Sequence, residues 1–265
     1  MQINTSKLAA YDGIELKEAT FRKQSFPVHF HDSYSIGIIE KGIEQVSFER
    51  KNILAHANAV IIINPYEVHS NTYFDNDSWK YRIIYVSIEL MHYFQNLIGL
   101  HTNKTIWFPQ YLIDDPHLYQ LLLRFHLQSK NVSSLETALT YLISTYAKER
   151  PESFLTGYTG LVNDAVGYLH NHLTEKITIE DIATLYKTDK YKLIRAFKKQ
   201  TGLTPISYLL LHRINKSKTL IAQDMPMTDI ALETGFYDQS HFNHYFRKYI
   251  GITPLAYRKG LSSNQ

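Results

Sequence analysis

The chain has 265 residues, enough for two domains, and its 44% hydrophobic and 20% charged content describes a globular protein with sizeable cores. It contains no Cys, which excludes disulfides, thiol catalysis and thiolate metal sites. The opening MQINTSKLAAYDG lacks the apolar core of a signal peptide, and no apolar run approaches the roughly 20 residues of a membrane span, so a cytoplasmic protein without membrane function is expected.

The first half reads as β. IGIIE, QVSFE, AVIIIN and YRIIYVS are short runs rich in Ile, Val, Tyr and Phe, separated by the turn-prone EKG, ERKN, NPYE and FDNDS. Strands at this density predict a small antiparallel barrel or sandwich. The period then changes. Asp115-Pro116 predicts an N-cap and first-turn proline for an amphipathic helix through about Gln128. Ser133-Ser134-Leu135-Glu136 predicts a capping box for a second helix to about Lys148. These helices carry the apolar stripes Leu118, Leu121, Leu122, Phe125 and Leu135, Leu139, Leu142, which face either a second copy of the chain or their own barrel. RPESFLTGYTG has the composition of a linker. The expected domains are therefore 1–150 and 161–260, with 151–160 between them.

From Leu161 the pattern is helical, with Val162, Ala165, Val166, Leu169 and Leu173 on one face. The chain then repeats itself. Asp181-Ile182-Ala183 matches Asp229-Ile230-Ala231, and Gly202, Thr204-Pro205 and Tyr208 match Gly251, Thr253-Pro254 and Tyr257. The offset grows by one residue between these anchors, and a repeat of this kind implies two copies of one supersecondary unit. Each copy reads as a short helix, a turn and a second helix. In the first, Thr178 caps a helix carrying Ile179, Ile182, Ala183 and Leu185, with Asp181 completing the cap; Asp189 caps a helix whose inner face is Leu193, Ala196, Phe197 and Gln200. The second copy has Ile230, Ala231 and Leu232, a turn at Gly235, and a helix with Phe242, Tyr245, Phe246 and Tyr249 inward. Ile206–Ala222 reads as one helix bridging the two.

A helix–turn–helix sets its second helix into the major groove, where polar side chains meet base edges and phosphates. The outer rows here carry such groups: Lys190, Tyr191, Lys192, Ile194, Arg195 and Lys198 in one copy, Gln239, Ser240, His241, Asn243, His244 and Arg247 in the other. Charge agrees. Residues 161–265 hold 14 Lys and Arg against 9 Asp and Glu, a net +5, whereas residues 1–160 hold 14 against 16, a net −2.

DQSHFNHYFRKYIGITPLAYR and DIATLYKTDKYKLIRAFKKQTGLTP resemble the two helix–turn–helix motifs of the AraC/XylS family of bacterial transcription regulators. LLLHRINKSKTLI, with Arg213, Lys216 and Leu220, resembles that family's linker helix. There are two departures: Lys187 stands where the family usually has Gly, and His244 where it often has Arg. FPVHFHDSYSIGIIEKG with INPYEVHS resembles the family's cupin-like effector domain.

The resemblance implies an α+β two-domain protein. A cupin-like antiparallel β-barrel with C-terminal dimerisation helices is followed by an all-α domain of two helix–turn–helix motifs joined by a linker helix. Implied partners are double-stranded promoter DNA, a small-molecule effector (a sugar, amino acid or aromatic acid), RNA polymerase for an activator, and a second copy in a homodimer.

His29 and His31 share a strand face, His69 follows Asn64-Pro65 with Glu67 between, and Trp79 and Tyr81 share strand parity, so these residues with Arg82 are the expected effector site. A cupin metal site expects Glu four or five residues after the second His, where Ser35 and Ile36 stand. The expectation is thus no metal, no cofactor and no catalytic residue. The competing classes are a cupin-type metalloenzyme with an accessory helical domain and a DNA-binding scaffold whose barrel only dimerises.

Overall fold

A computed structural model describes residues 2–8, 10–74, 78–100, 105–128, 131–149 and 158–262. Most of the expected linker lies outside the described residues. The chain divides into two compact units, one of residues 1–25, 30–152 and 260–265, the other of residues 26–29 and 153–259.

The first unit is built on two antiparallel sheets. Six strands lie in the order β1 (Gln2–Lys7), β2 (Ile14–Arg22), β9 (Ser78–Val86), β4 (Tyr34–Lys41), β7 (Val60–Ile63), β11 (Leu112–Ile113). Four more lie in the order β3 (Ser25–His29), β8 (His69–Tyr73), β5 (Ile43–Ser47), β6 (Asn52–His56), and of β3 only Ser25 is grouped with the first unit. A short ribbon pairs β10 (Ile106–Trp107) with β12 (Lys148–Glu149). Strand alternation gives the six-stranded sheet two different faces. One presents Leu16, Ile36, Ile38, Ile62 and Ile84 to the helices α1 (Ile88–Leu97), α2 (Pro116–Leu127) and α3 (Val132–Tyr146), forming the main core. The other presents Lys17, Ala19, Phe21, Trp79, Tyr81 and Tyr85 toward the four-stranded sheet.

Asp115 caps α2 through the Leu118 and His117 amides, with Pro116 in the first turn as expected. The cap of α3 is Asn131, two residues before the expected Ser133; its side-chain carbonyl accepts from Ser133 and Ser134 N–H and starts the helix earlier. The helix also ends earlier, at Tyr146, because Lys148 and Glu149 turn to pair with β10. Leu135, Leu139 and Leu142, expected as a possible dimer stripe, are completely buried in the core of their own domain. That stripe faces α1, α2 and the sheet and cannot face a second chain. The outward side of α3 is instead the hydroxyl row Ser133, Thr137, Thr140, Ser144.

The second unit contains α4 (Leu161–Asn171), α5 (Ile179–Leu185), α6 (Lys190–Thr201), α7 (Pro205–Ala222), α8 (Met227–Glu233), α9 (Gln239–Ile250) and most of α10 (Pro254–Ser262). The repeat is realised helix for helix, although α8 starts after Pro226 without a side-chain cap. Thr178 and Asp181 close a reciprocal capping box on α5, Asp189 caps α6, Asp238 caps α9, and Gly202 and Gly251 end the two long helices in the left-handed region. Burial corrects one inward assignment, Gln200, and turns two leucines of the short helices outward. Leu185 and Leu232 are more than half exposed, and Gln200 is exposed, its Oε1 accepting from Thr159 N–H. Leu185 lies about 300° around the helix from Ile182, at about 100° per residue, which carries it off the face shared by Ile182 and Ala183.

Lys187 takes the left-handed conformation, φ +50°, as Gly235 does at φ +76° in the second copy. The turn keeps its form despite the substituted residue. Arg213 of α7 binds the loop entering the first motif, its Nε donating to Leu173 O at 2.8 Å and a terminal nitrogen to Glu175 O at 2.5 Å. Gly235 lies against the same loop, where an added Cβ would sit 2.8 Å from Thr174 C and O. Lys176 Nζ stands over the Tyr237 ring at 4.8 Å. One loop thus joins the bridging helix and both motifs.

Candidate functional site

Two groups of side chains meet the requirements of a site. The first lies on α6 and α9. Each helix buries an aliphatic or aromatic row, Leu193 and Phe197 in α6 and Phe242, Phe246 and Tyr249 in α9, against its own motif. Burying that row turns the other side to solvent. In α6 this leaves Tyr191, Lys192, Arg195 and Lys198 exposed with Ile194 half-buried; in α9, Gln239, Ser240, His244 and Arg247 are exposed and Asn243 half-buried. Tyr191, at 60% exposure, is a large aromatic without a core role. Two expected members are otherwise engaged. Lys190 Nζ donates to Glu180 Oε1 at 2.8 Å, and that carboxylate raises the lysine pKa. His241 turns back toward its own turn, its ring packed on Phe236 and Tyr245 and its Nδ1 accepting from Tyr237 N–H at 3.4 Å.

The second group is carried by strands and connections of the two sheets. His29, His31 and His69 come together, with one ring nitrogen from each within 4.8 Å of the others. Their fixing is local. His29 Nδ1 meets Pro27 O at 2.7 Å and His69 Nδ1 meets Glu67 O at 2.8 Å. The Asn64–Glu67 turn is held by Glu67 itself, whose Oε2 accepts from Asn64 N and Nδ2 and whose Oε1 accepts from Tyr111 OH and Trp107 Nε1. Both oxygens of Glu67 are therefore committed to building the turn. His31 stacks obliquely on His69 at 5.3 Å and on Tyr85 at 5.0 Å. Trp79, Tyr81 and Phe21 form one aromatic cluster, with centroids 4.9 to 5.6 Å apart. The Trp79 indole N–H is buried with no acceptor among the described residues, and a buried orphan donor is costly unless a ligand or water meets it.

Arg82 does not belong to this group. Alternation along β9 places it on the opposite face from Trp79 and Tyr81. There it pairs with Glu18 at 2.9 Å and Glu40 at 2.5 Å, and Lys80 joins the same two carboxylates. Sequence reasoning missed Glu44 and Lys17, both buried. The signal was available: Glu44 shares strand parity with Val46, and Lys17 with Ala19 and Phe21, so each is a charge at an inward position. Asn71 Nδ2 donates to Glu44 Oε1 at 2.7 Å, yet burial pushes the Glu44 carboxyl up to about 7, against the pull of Asn71 and Lys17. Burial also lowers His69 to about 4, so it is neutral at pH 7.

These shifts have opposite consequences for stability. A carboxyl raised on folding gives stability that is full below about 4.5 and lost as pH rises through about 7. An imidazole lowered on folding gives stability that is full above 6.5 and lost as pH falls through about 4. In the wild type the two offset each other across this window. Glu44→Gln removes only the first, so unfolding of chelator-treated variant should show stability rising from pH 4.5 to 6.5. At pH 8 the variant should exceed the wild type by about 2 kcal/mol. Equal urea midpoints for the two proteins at pH 8 would place Glu44 in a solvated setting.

Comparison with known proteins identifies the two domains that carry these groups. Residues 182–260 match a family model described as a helix-turn-helix domain, and residues 13–143 match one described as an AraC-like ligand binding domain. The chain is 30% identical to the uncharacterized HTH-type transcriptional regulator YbfI of Bacillus subtilis, over 91% of this chain and 90% of the relative. It is 25% identical to the HTH-type transcriptional activator RhaS of an Enterobacter species, over 92% and 91%. Among solved structures, ToxT from Vibrio cholerae superposes with a TM-score of 0.58 at 16% identity, covering 94% of this chain and 98% of that one, which shows a shared fold.

Proposed function

We propose, from the premise that this chain belongs to the AraC family of transcriptional regulators, that α6 and α9 read successive major grooves and that the barrel interior binds the effector controlling them. The observation that carries this reading is the repeated exposure of Tyr191, Arg195 and Lys198 on one helix and Ser240, His244 and Arg247 on its counterpart. Arginine suits bidentate contact with guanine edges, and lysine suits phosphate. The effector site is the inward set His29, His31, His69, Trp79, Tyr81, Glu44 and Lys17, with Glu67 a builder of the turn behind it. A buried donor, a carboxyl near neutrality and a buried ammonium favour a small polar organic molecule. RhaS relatives are named activators, and an activating role here would engage RNA polymerase. The reading is of a non-enzymatic cytoplasmic homodimer. Its dimer contact must use surfaces other than Leu135, Leu139 and Leu142, such as the outward sides of α2 and α3.

The two roles on α6 separate experimentally. Arg195→Ala should cost about 1–3 kcal/mol and relax preference at one or two base pairs. Lys198→Ala should weaken all sequences evenly and lower the slope of log affinity against log salt by about one. Quantitative footprinting of the full chain on DNA upstream of its own gene reads both, and unchanged affinity and preference in the Arg195 variant would reassign that residue. Loss of protection over one groove in a Ser240→Ala/His244→Ala double variant would place α9 on DNA. Intact protection at full affinity would leave α6 as the only reader.

A further inference from the structure

We infer that His29, His31 and His69 form a three-imidazole site for a divalent first-row transition-metal ion inside the barrel. This goes beyond DNA reading and does not depend on it. Three features of the site point to a metal.

The first is convergence. One ring nitrogen from each histidine lies within 4.8 Å of the other two. Metal–nitrogen bonds of about 2.0–2.1 Å set tetrahedral ligand nitrogens about 3.4 Å apart, so each pair must close by no more than about 1.4 Å. Side-chain torsions supply that movement.

The second is the state of the rings. A carbonyl oxygen only accepts, so the Nδ1 atoms of His29 and His69 that face Pro27 O and Glu67 O carry their protons. In the neutral ring the lone pair is then on Nε2. Metal-binding imidazoles are oriented in this way, with the far N–H held by a backbone carbonyl or carboxylate. Here the same device occurs twice, each time using the carbonyl two residues earlier in the chain. Both rings are buried, His29 at 5% and His69 at 1% exposure, and His31 is half-buried beside them.

The third is the donor set. Both Glu67 oxygens are taken by Asn64, Tyr111 and Trp107, and Glu44 is bonded to Asn71. A set of imidazoles without a carboxylate suits zinc, cobalt, nickel or copper, and is unsuited to magnesium or calcium, which need oxygen ligands. Three protein ligands leave a coordination position for water or for a donor atom of the effector.

The experiment uses full-length protein without a histidine tag, stripped by chelator and desalted. Zinc, cobalt and magnesium are then added separately, followed by metal analysis and thermal unfolding. The expected result is one zinc or cobalt ion retained per chain, a raised Tm, and visible ligand-field absorption with cobalt, none of these with magnesium. His31→Gln and His69→Gln should each weaken binding at least about tenfold. His56→Gln should not, because His56 is an exposed histidine paired with Asp114. If His69→Gln does not fold, the half-buried His31→Gln carries the test. Less than a tenth of an ion per wild-type chain, or retention undiminished in His31→Gln, would overturn the assignment.

Discussion

Gly235→Ala is expected to destabilise the DNA-binding domain by roughly 2–5 kcal/mol and to weaken binding to DNA with it. Two costs combine. An L residue at φ +76° gives up roughly 1–2 kcal/mol in the left-handed region. The new methyl group also meets Thr174 C and O at 2.8 Å and Leu173 O at 2.9 Å. These are backbone atoms that no rotamer change can move, and overpacking adds roughly 1–3 kcal/mol. The equivalent turn residue, Lys187, bears only the first cost because its side chain is exposed. Lys187→Gly should therefore gain up to about 1 kcal/mol. Urea unfolding of the two variants side by side tests whether the second turn is a packed junction. Equal and small effects at both positions would show that it is not.

Arg213→Leu is expected to cost roughly 3 kcal/mol. Arg213 is 6% exposed, and burial draws its pKa down to about 10, so it stays charged at neutral pH. Its attachments are the Leu173 and Glu175 carbonyls, and hydrogen bonds from a charged donor contribute roughly 1.5–3 kcal/mol each. Leucine replaces part of the stem and neither bond. The loop at residues 173–175 would then be released from α7 while both recognition helices keep their surfaces. DNA affinity should fall more than the loss of one positive charge explains, with little change in the salt slope. A drop in affinity that vanishes at low salt would instead mark Arg213 as a phosphate contact.

The DNA-reading half was legible in the sequence because its signals are local and doubled. Thr178 with Asp181 and Asp189 before the second helix state the helix starts, and the matched Gly, Thr-Pro and Tyr anchors fix the second copy by the first. Ile206–Ala222 as a single helix is short of the observed Pro205–Ala222 by one residue. The barrel was harder. β1, β2, β6 and β8 carry too many polar residues to stand out, since each turns one face to water or to a polar interior, and β3 stops at His29, so His31 lies beyond the strand face the two were expected to share. Helix α1 follows β9 with only its cap Ser87 between them, so the change of period had no loop to announce it. Arg82 was grouped with Trp79 by nearness in sequence, where strand alternation separates them. The stripe Leu135, Leu139, Leu142 shows a different limit. Helical periodicity reveals that a face is buried but not by what, and here the partner is the domain's own sheet. Glu44 was missed because a charged residue reads as surface until its neighbours are known to point inward.

The bridging helix α7 has 18 residues, hence a length of about 27 Å at 1.5 Å per residue. Equivalent faces of successive major grooves lie about 34–36 Å apart along a straight duplex. Arg213 and Gly235 clasp the 173–175 loop from both sides, so the protein has little freedom to stretch toward that spacing. If α6 and α9 occupy successive grooves as proposed, the accommodation falls to the DNA, which is then expected to curve toward the protein. Curving a site of this length costs on the order of 1–6 kcal/mol, and flexible pyrimidine–purine steps lower that cost. Base pairs midway between the two recognition helices thereby acquire a vote in site selection without being touched. An operator with a stiff A-tract at its centre should be a poor one even when every contacted base is correct.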